Sequence, residues 1–311
     1  VNPDVTVLYD TIRWEEKALL EAGKKVGIDV WMLNCKNLAL GLGNGSNGDN
    51  GTNADTTTPE STAAPADSMP CVATYGTILQ RCVSYYRNLH STAALEGQGE
   101  RVINCLQTGI LAGNKLFTHM LLVRAGVPTP HATVAFSKDA ALAHLKRTGF
   151  PAVIKPTVGS WGRMVSKLTD MDAAEGIIEG RETMYPIHHI HYMEEFVSRP
   201  PRDIRAIMVG DEIVAAIYRT SEGENNWKTN TALGGRADPC NVTKEMEDIC
   251  IKAKDAVQGD IVGVDLMEDD ARGLLVHEIN NTTEYKNTVR VCGVDIPRLM
   301  LEFATEHNGR R

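Results

Sequence analysis

The sequence predicts an α/β (α+β) protein built in three segments, and three observations carry that prediction. Residues 5–33 read as strand, helix, strand, the opening of a parallel α/β unit. Pro151-Ala-Val-Ile-Lys155-Pro156 reads as a buried strand ending on a lysine. Farther on come two hairpins, one turning at Gly210-Asp211 and one running from Gly263 to Asn281. At 311 residues the chain is long enough for two or three compact units.

The first segment, 1–109, begins with Val5-Thr-Val-Leu-Tyr9 as a strand, a helical pattern from Ile12 to Val26 and a strand from Ile28 to Leu33. The loop Asp10-Thr-Ile-Arg13 leaves the carboxyl end of a strand, where α/β proteins bind ligands, but no G-x-G-x-x-G follows to support a dinucleotide site. From Gly41 to about Pro70 the chain turns to small, polar and proline residues, with almost nothing apolar between Leu42 and Met69. Such a stretch cannot bury enough surface to offset its ordering entropy, so 41–70 reads as a flexible low-complexity insertion in a surface loop. Order resumes at Ile78–Val83, followed by a helix from about Tyr85 to Leu95 and the short strand Arg101-Val-Ile103.

The second segment, 110–188, places a helix from Lys115 to Arg124, closed by Gly126-Val-Pro128-Thr-Pro130. A strand from His131 to Phe136, a helix from Asp139 to Thr148 and the strand at Ala152–Lys155 follow. Gly159-Ser160-Trp161-Gly162-Arg163 then reads as a loop, before a strand from Met164 to Lys167 and a helix from Met171 to Arg181. The third segment, 189–311, runs through His191–Val197, the hairpin strands Arg202–Val209 and Glu212–Arg219, a polar loop from Thr220 to Asp238, a helix from Val242 to Val257, the second hairpin, and a last helix from Asp295 to Glu306.

Composition narrows the function. Apolar content of 42% is that of a globular protein, and no apolar run approaches the roughly 20 residues needed to span a bilayer. With a strand-like N-terminus in place of a targeting segment, a cytoplasmic protein is expected. Seven scattered cysteines contain no C-x-x-C pair, which points to buried free thiols, not to a zinc site or disulfides. A net charge of -8 argues against a general nucleic-acid binder.

The chemistry sits where cations and hard oxygens meet. Lys155, at the end of a buried strand, is an expensive core residue unless an anion meets it, and Gly159 and Gly162 free loop N–H groups for phosphate oxygens. Lys115 adds a second cation; Arg219 and Lys228 add two more. In the second hairpin, the period of two puts Glu278 and Asn280 on one face, where Asp265 of the partner strand can join them as a Mg²⁺-type oxygen set. Glu194-Glu195-Phe196-Val197 offers an edge strand for an adenine, and Asp203 a carboxylate for ribose hydroxyls. Each feature alone has a plainer reading, a solvated acidic hairpin or a simple turn with a snorkelling lysine; together they describe a polyphosphate site.

In that order the motifs resemble the ATP-grasp ligases: Lys115, Lys155-Pro156, Gly159–Arg163, Glu194–Val197, Arg202-Asp-Ile-Arg205, Arg219, Asp265 and Glu278-Ile-Asn280. The branch most similar contains the ribosomal-protein glutamate ligases and the ligases that join α-aminoadipate to an amino-group carrier protein. Nearly the whole chain outside 41–70 takes part. The resemblance implies an ATP-grasp fold, with 1–109 as a Rossmann-like pre-ATP-grasp domain and two α+β subdomains clasping ATP. It implies ATP and two Mg²⁺ ions as cofactors. Lys115, Lys155, Gly159, Ser160, Trp161, Gly162, Arg163 and Lys228 would hold phosphates, with Lys228 standing where a relative has arginine. Glu194, Glu195, Phe196 and Val197 would frame adenine and Asp203 would hold ribose; Asp265, Glu278 and Asn280 would hold the metal. Arg205 and Arg219 would orient an acyl phosphate.

Asn230, Thr231, Gly234 and Gly235 resemble a substrate loop, with Leu233 where that pattern carries arginine. Asn287 and Thr288 resemble the pair found in aminoadipate enzymes, where glutamate enzymes carry Gly-Phe. The implied partners are a small acidic carrier protein ending in glutamate and an amino acid, α-aminoadipate or glutamate, with the enzyme a homo-oligomer. The alternatives are glutamate ligation to the carrier or to a ribosomal-protein tail, and a nucleotide-binding regulatory module without turnover. His188-His-Ile-His191 reads as partly exposed loop histidines, and Cys250 and Cys292 as packing residues.

Overall fold

The structure is a computed structural model and describes residues 2–42, 75–159, 161–221, 227 and 236–306. Most of the expected 41–70 insertion lies outside the described residues.

A short, mostly apolar run flanked by polar residues suits a strand covered on both faces, and β1 (Val5–Tyr9) takes that central place, with the hydroxyl of Thr6 donating to Tyr75 O. After α1 (Trp14–Val26) comes β2 (Val30–Asn34), then β3 (Thr77–Gln80), α2 (Tyr85–Gly97) and β4 (Arg101–Ile103). The four strands form a parallel sheet in the order β2-β1-β3-β4. Leu8, Ile78, Leu95 and Val102 close its core. The strand expected over Ile78–Val83 ends at Gln80, because Asp10 then takes the N–H groups of Val83 and Ser84 at 2.8 and 3.1 Å and turns the chain.

Helices α3 (Leu106–Ala112) and α4 (Lys115–Arg124) come next. Asn114 caps α4 by accepting from Leu116 and Phe117, and the Lys115 N–H donates to Thr157 O at 2.8 Å, so Lys115 is pinned beside the end of the lysine strand. An antiparallel sheet in the order β5-β8-β6-β7 is built from β5 (Ala132–Ala135), β6 (Ala152–Lys155), β7 (Ser166–Leu168) and β8 (His191–Glu195). Helices α5 (Lys138–Thr148) and α6 (Met171–Glu182), capped by Ser137 and Asp170, close a core of Ala141, Leu145, Ile154, Leu168 and Ile178. The strand expected from Met164 begins at Ser166, since Met164 stands at φ 59°, outside the extended region.

The third sheet has five antiparallel strands in the order β11-β10-β9-β12-β13. They are β9 (Arg202–Val209), β10 (Glu212–Thr220), β11 (Arg236–Pro239), β12 (Ile261–Asp269) and β13 (Gly273–Asn280), with α7 (Lys244–Ala256) on one face. β11 falls in the stretch expected as a polar loop; it is an edge strand of Arg-Ala-Asp-Pro, without the alternation that marks a strand in sequence. The chain ends in α8 (Lys286–Cys292) and α9 (Ile296–Glu306). Contacts gather residues up to Leu106 with α9 into one unit, and Gln107–Ile296 into a second, so the last helix groups with the first segment and not with 189–295. Among the described residues no helix is long and apolar enough to cross a membrane.

One glycine is demanded by close approach. A Cβ on Gly263 would lie 2.3 Å from Thr283 Oγ1 and 2.9 Å from Thr283 Cβ, in the segment that follows β13. Gly263→Ala is therefore expected to destabilise the fold by about 1–3 kcal/mol, the cost of overpacking a rigid contact. A lower urea midpoint with unchanged slope would show it, and a midpoint equal to wild type would contradict it.

Candidate active site

One face of the five-stranded sheet is apolar and covered by helix: Ile204, Ala206, Val264, Leu266, Val276 and Ile279 all lie in its core. The other face carries the charge. Alternation puts Asp203 and Arg205 there from β9, Arg219 from β10 and Asp265 from β12. Register then pairs them directly, Arg219 opposite Asp203 and Arg205 opposite Asp265.

The pairs are bonded. Arg219 holds both oxygens of Asp203 at 2.6 and 2.8 Å and reaches Asp265 Oδ2 at 3.0 Å. Arg205 also grips Asp265 with two nitrogens. Burial pushes the Asp265 carboxyl up, but the charges of Arg205 and Arg219 outweigh it and hold it well below the usual carboxylate range. Asp203, expected at the ribose, is buried with both its oxygens bonded to Arg219, just as those of Asp265 are bonded to Arg205 and Arg219. In this geometry Asp203 fixes the guanidinium.

On β13, Glu278 lies opposite Asp265, and Asn280 is two residues further on the same face. Asn280 turns its amide nitrogen to Asp265 Oδ2 at 3.4 Å, which leaves Oδ1 to meet a cation. Glu278 is paired with Lys115 at 3.0 Å, and Lys115 also donates to Gly159 O at 2.7 Å, so one lysine ties the glycine-containing loop to the acidic strand. Two carboxylates and one amide oxygen on rigid neighbouring strands are a hard-oxygen set that fits Mg²⁺. Among the described residues no group of three His, Cys, Asp or Glu side chains forms a site of another kind.

Lys155 and Glu194 are both buried and bonded at 2.5 Å. They border a cavity of about 310 Å³ whose walls include Lys167, Glu195, Phe196, Val197 and Met267, large enough for a purine ring. Lys167 Nζ sits 3.9 Å over the Phe196 ring, and Trp227 meets the same ring edge-on at 5.9 Å. Glu195, on the same wall, accepts from His131 N at 2.8 Å and Arg272 at 2.7 Å. Phe196 and Val197 stand past the end of β8, with backbone groups outside the ladder.

In the loop, Trp161 adopts φ 58°, is stacked by Arg163 at 5.2 Å and donates from Nε1 to Glu284 at 3.3 Å. A non-glycine residue held in that region is a strain retained where a loop has a task. Thr288 is buried in the first turn of α8 and Asn287 is half-buried beside it. Ser160, Lys228, Asn230, Thr231, Gly234 and Gly235 lie outside the described residues.

A family model for the RimK-like ATP-grasp domain matches residues 112–304, the span that holds every paired group above. The chain belongs to the RimK-like ATP-grasp family. It is 40% identical over 295 residues to the alpha-aminoadipate–LysW ligase LysX of Saccharolobus solfataricus, covering 94% of this chain and 98% of that one. It is 30% identical over 300 residues to the glutamate–LysW ligase ArgX of Sulfolobus acidocaldarius, covering 96% and 97%. A RimK domain ATP-grasp protein from Sphaerobacter thermophilus shares the fold at TM-score 0.69 and 20% identity, covering 96% of this chain and 98% of that chain.

For this member of the RimK-like ATP-grasp family, one site residue escaped the sequence. His277 lies between Val276 and Glu278 at a register shift: Leu266 pairs with Val276, while Asp265 pairs with Glu278. Val276 and Ile279 both enter the core, so His277 and Glu278 both face the charged side. Burial, with Lys155 adding to it, drives the His277 pKa well below its ordinary value. A bulge depends on the partner strand, so nothing local in Leu-Val-His-Glu signals it. His191, expected as part of an exposed loop, is fully buried and bonded to Glu182 at 2.6 Å.

Proposed function

We propose that this protein is an ATP- and Mg²⁺-dependent carboxylate–amine ligase that joins α-aminoadipate, through its α-amino group, to the side-chain carboxylate of the C-terminal glutamate of a LysW-type carrier. The observation that carries the reading is the conjunction of the paired site face with 40% identity to LysX along nearly the whole chain.

Lys115 and Lys155 bind ATP phosphates, exchanging Glu278 and Glu194 for phosphate oxygens, and the loop from Gly159 to Arg163 covers them and excludes water. Glu194 through Val197 and Met267 frame the adenine. Asp265, Glu278 and Asn280 would hold the two Mg²⁺ ions, which would neutralise charge on the polyphosphate when bound. The carrier carboxylate attacks the terminal phosphorus, giving an acyl phosphate and ADP. Arg205 and Arg219, locked by Asp265 and Asp203, orient that acyl phosphate. The amine then forms the C–N bond, phosphate leaves with the electron pair of the broken C–O bond, and a proton is lost from nitrogen. No side-chain nucleophile is required.

Asn287 and Thr288 leave room for aminoadipate, which is one methylene longer than glutamate, a difference worth only about 1–3 kcal/mol in a pocket. Relatives acting on glutamate also match along the chain, so glutamate is the competing substrate. The test is ADP release with purified carrier: turnover with aminoadipate roughly tenfold or more above glutamate is expected. Turnover with glutamate alone would overturn the assignment.

A further inference from the structure

His277 is a polar side chain on the charged face that the proposed reaction leaves unused. Among the described residues neither of its ring nitrogens has a hydrogen-bond partner, although both are buried; the nearest carboxylate oxygen, Asp203 Oδ2, is 4.0 Å from Nε2. A buried polar atom without a partner is costly, and a ligand that supplies the partner removes that cost.

The neighbourhood says which part of the ligand. Lys155 and Arg199, whose charges act on the His277 ring, both border the nucleotide-sized cavity, as does Met267 on β12. Met267 shares its sheet face with Asp265 and with His277. The ring thus stands on the face between the hydrophobic wall given by Met267 and the phosphate end given by Lys155. That is the ribose position of a nucleotide laid along this face. Asp203, the carboxylate expected at the ribose, holds Arg219 and stands 4.0 Å from the ring, so the two side chains border the same position. A neutral imidazole carries one donor and one acceptor, and a sugar hydroxyl likewise donates and accepts.

We infer that His277 hydrogen-bonds a ribose hydroxyl of the bound nucleotide and so makes the enzyme select ribonucleotides over deoxyribonucleotides. The inference rests on the ATP reading and adds a residue to it. The β13 bulge is the device: without the extra residue, only one of His277 and Glu278 could face the site.

The test is calorimetric binding of ADP, 2′-deoxyADP and 3′-deoxyADP, with Mg²⁺, to the full chain and to His277→Leu and His277→Gln. Wild type is expected to bind one of the deoxynucleotides about tenfold more weakly than ADP, the worth of one hydrogen bond. His277→Leu is expected to bind ADP about tenfold more weakly and no better than that deoxynucleotide. His277→Gln, which keeps a donor and an acceptor, is expected to restore part of the preference. An unfolding midpoint of His277→Leu at or above wild type would agree with removal of an unsatisfied group. The inference fails if His277→Leu discriminates as wild type does, or loses affinity equally for all three nucleotides. Absence of ADP binding in wild type would remove the ATP reading itself, whereas carrier turnover alongside an unchanged His277→Leu preference would remove only the role of His277.

Discussion

Asp265→Asn is expected to lower turnover by at least about 10³-fold while leaving a folded, nucleotide-binding protein. The carboxylate is buried between Arg205 and Arg219 and belongs to the proposed metal set, so its charge serves both partners. Losing one electrostatic stabiliser of a developing charge costs about 10²–10³ in similar sites, and disturbing the arginines adds to that. The same change removes the counter-charge of two guanidinium groups, which costs up to about 3–5 kcal/mol of stability.

The pH dependence gives an independent reading of Asp265. Its pKa is depressed in the folded state, so its contribution is complete above the unfolded carboxylate value of about 3.9 and is lost as pH falls through the lower folded value. Asp265→Asn has no such proton to take up, so its stability should fall less steeply than that of wild type below about pH 4. Circular dichroism against urea at several pH values would show the difference. Wild-type turnover in Asp265→Asn would overturn the metal role of Asp265, whereas nucleotide binding without turnover in the wild type, and unchanged in Asp265→Asn, would leave a regulatory nucleotide-binding module as the better reading.

Lys155→Met should raise the KM for ATP by about 10²-fold or more and also destabilise the protein. The lysine is bonded to buried Glu194 at 2.5 Å, and removing one member of such a pair strands the other, at a cost of about 3–5 kcal/mol. The two effects can be separated. Lys155→Met combined with Glu194→Gln removes the stranded charge, so stability should return toward wild type while the KM stays high. Recovery of ATP affinity in the double variant would mean that Lys155 is a structural ion-pair partner and not a phosphate ligand.

How much of the fold is legible in the sequence follows from how local each signal is. The strand at Ala152–Lys155 and the hairpin at 261–280 announce themselves through uninterrupted or alternating apolar residues, and both stand where they are expected. β11 and α8 carry no such pattern. β11 is an edge strand held by one neighbour, and α8 is a single short helix closed by Gly293 at φ 69°. At the site, residue types and spacing alone are enough to nominate Asp265, Glu278 and Asn280. Partnerships do not follow in the same way. That Asp203 belongs to Arg219 is decided by the β9–β10 register, and that His277 shares a face with Glu278 is decided by a bulge. Both depend on contacts between strands, which a single strand's sequence does not contain.

In the proposed reaction, ATP activates the carrier's carboxylate as an acyl phosphate on the way to an amide. Carrier protein labelled with ¹⁸O in the side-chain carboxylate of its terminal glutamate tests this most directly. In the presence of ATP, Mg²⁺ and aminoadipate, one ¹⁸O atom should pass from each joined carboxylate into inorganic phosphate, with ADP as the nucleotide product. Unlabelled phosphate, or label appearing in AMP, would contradict the account.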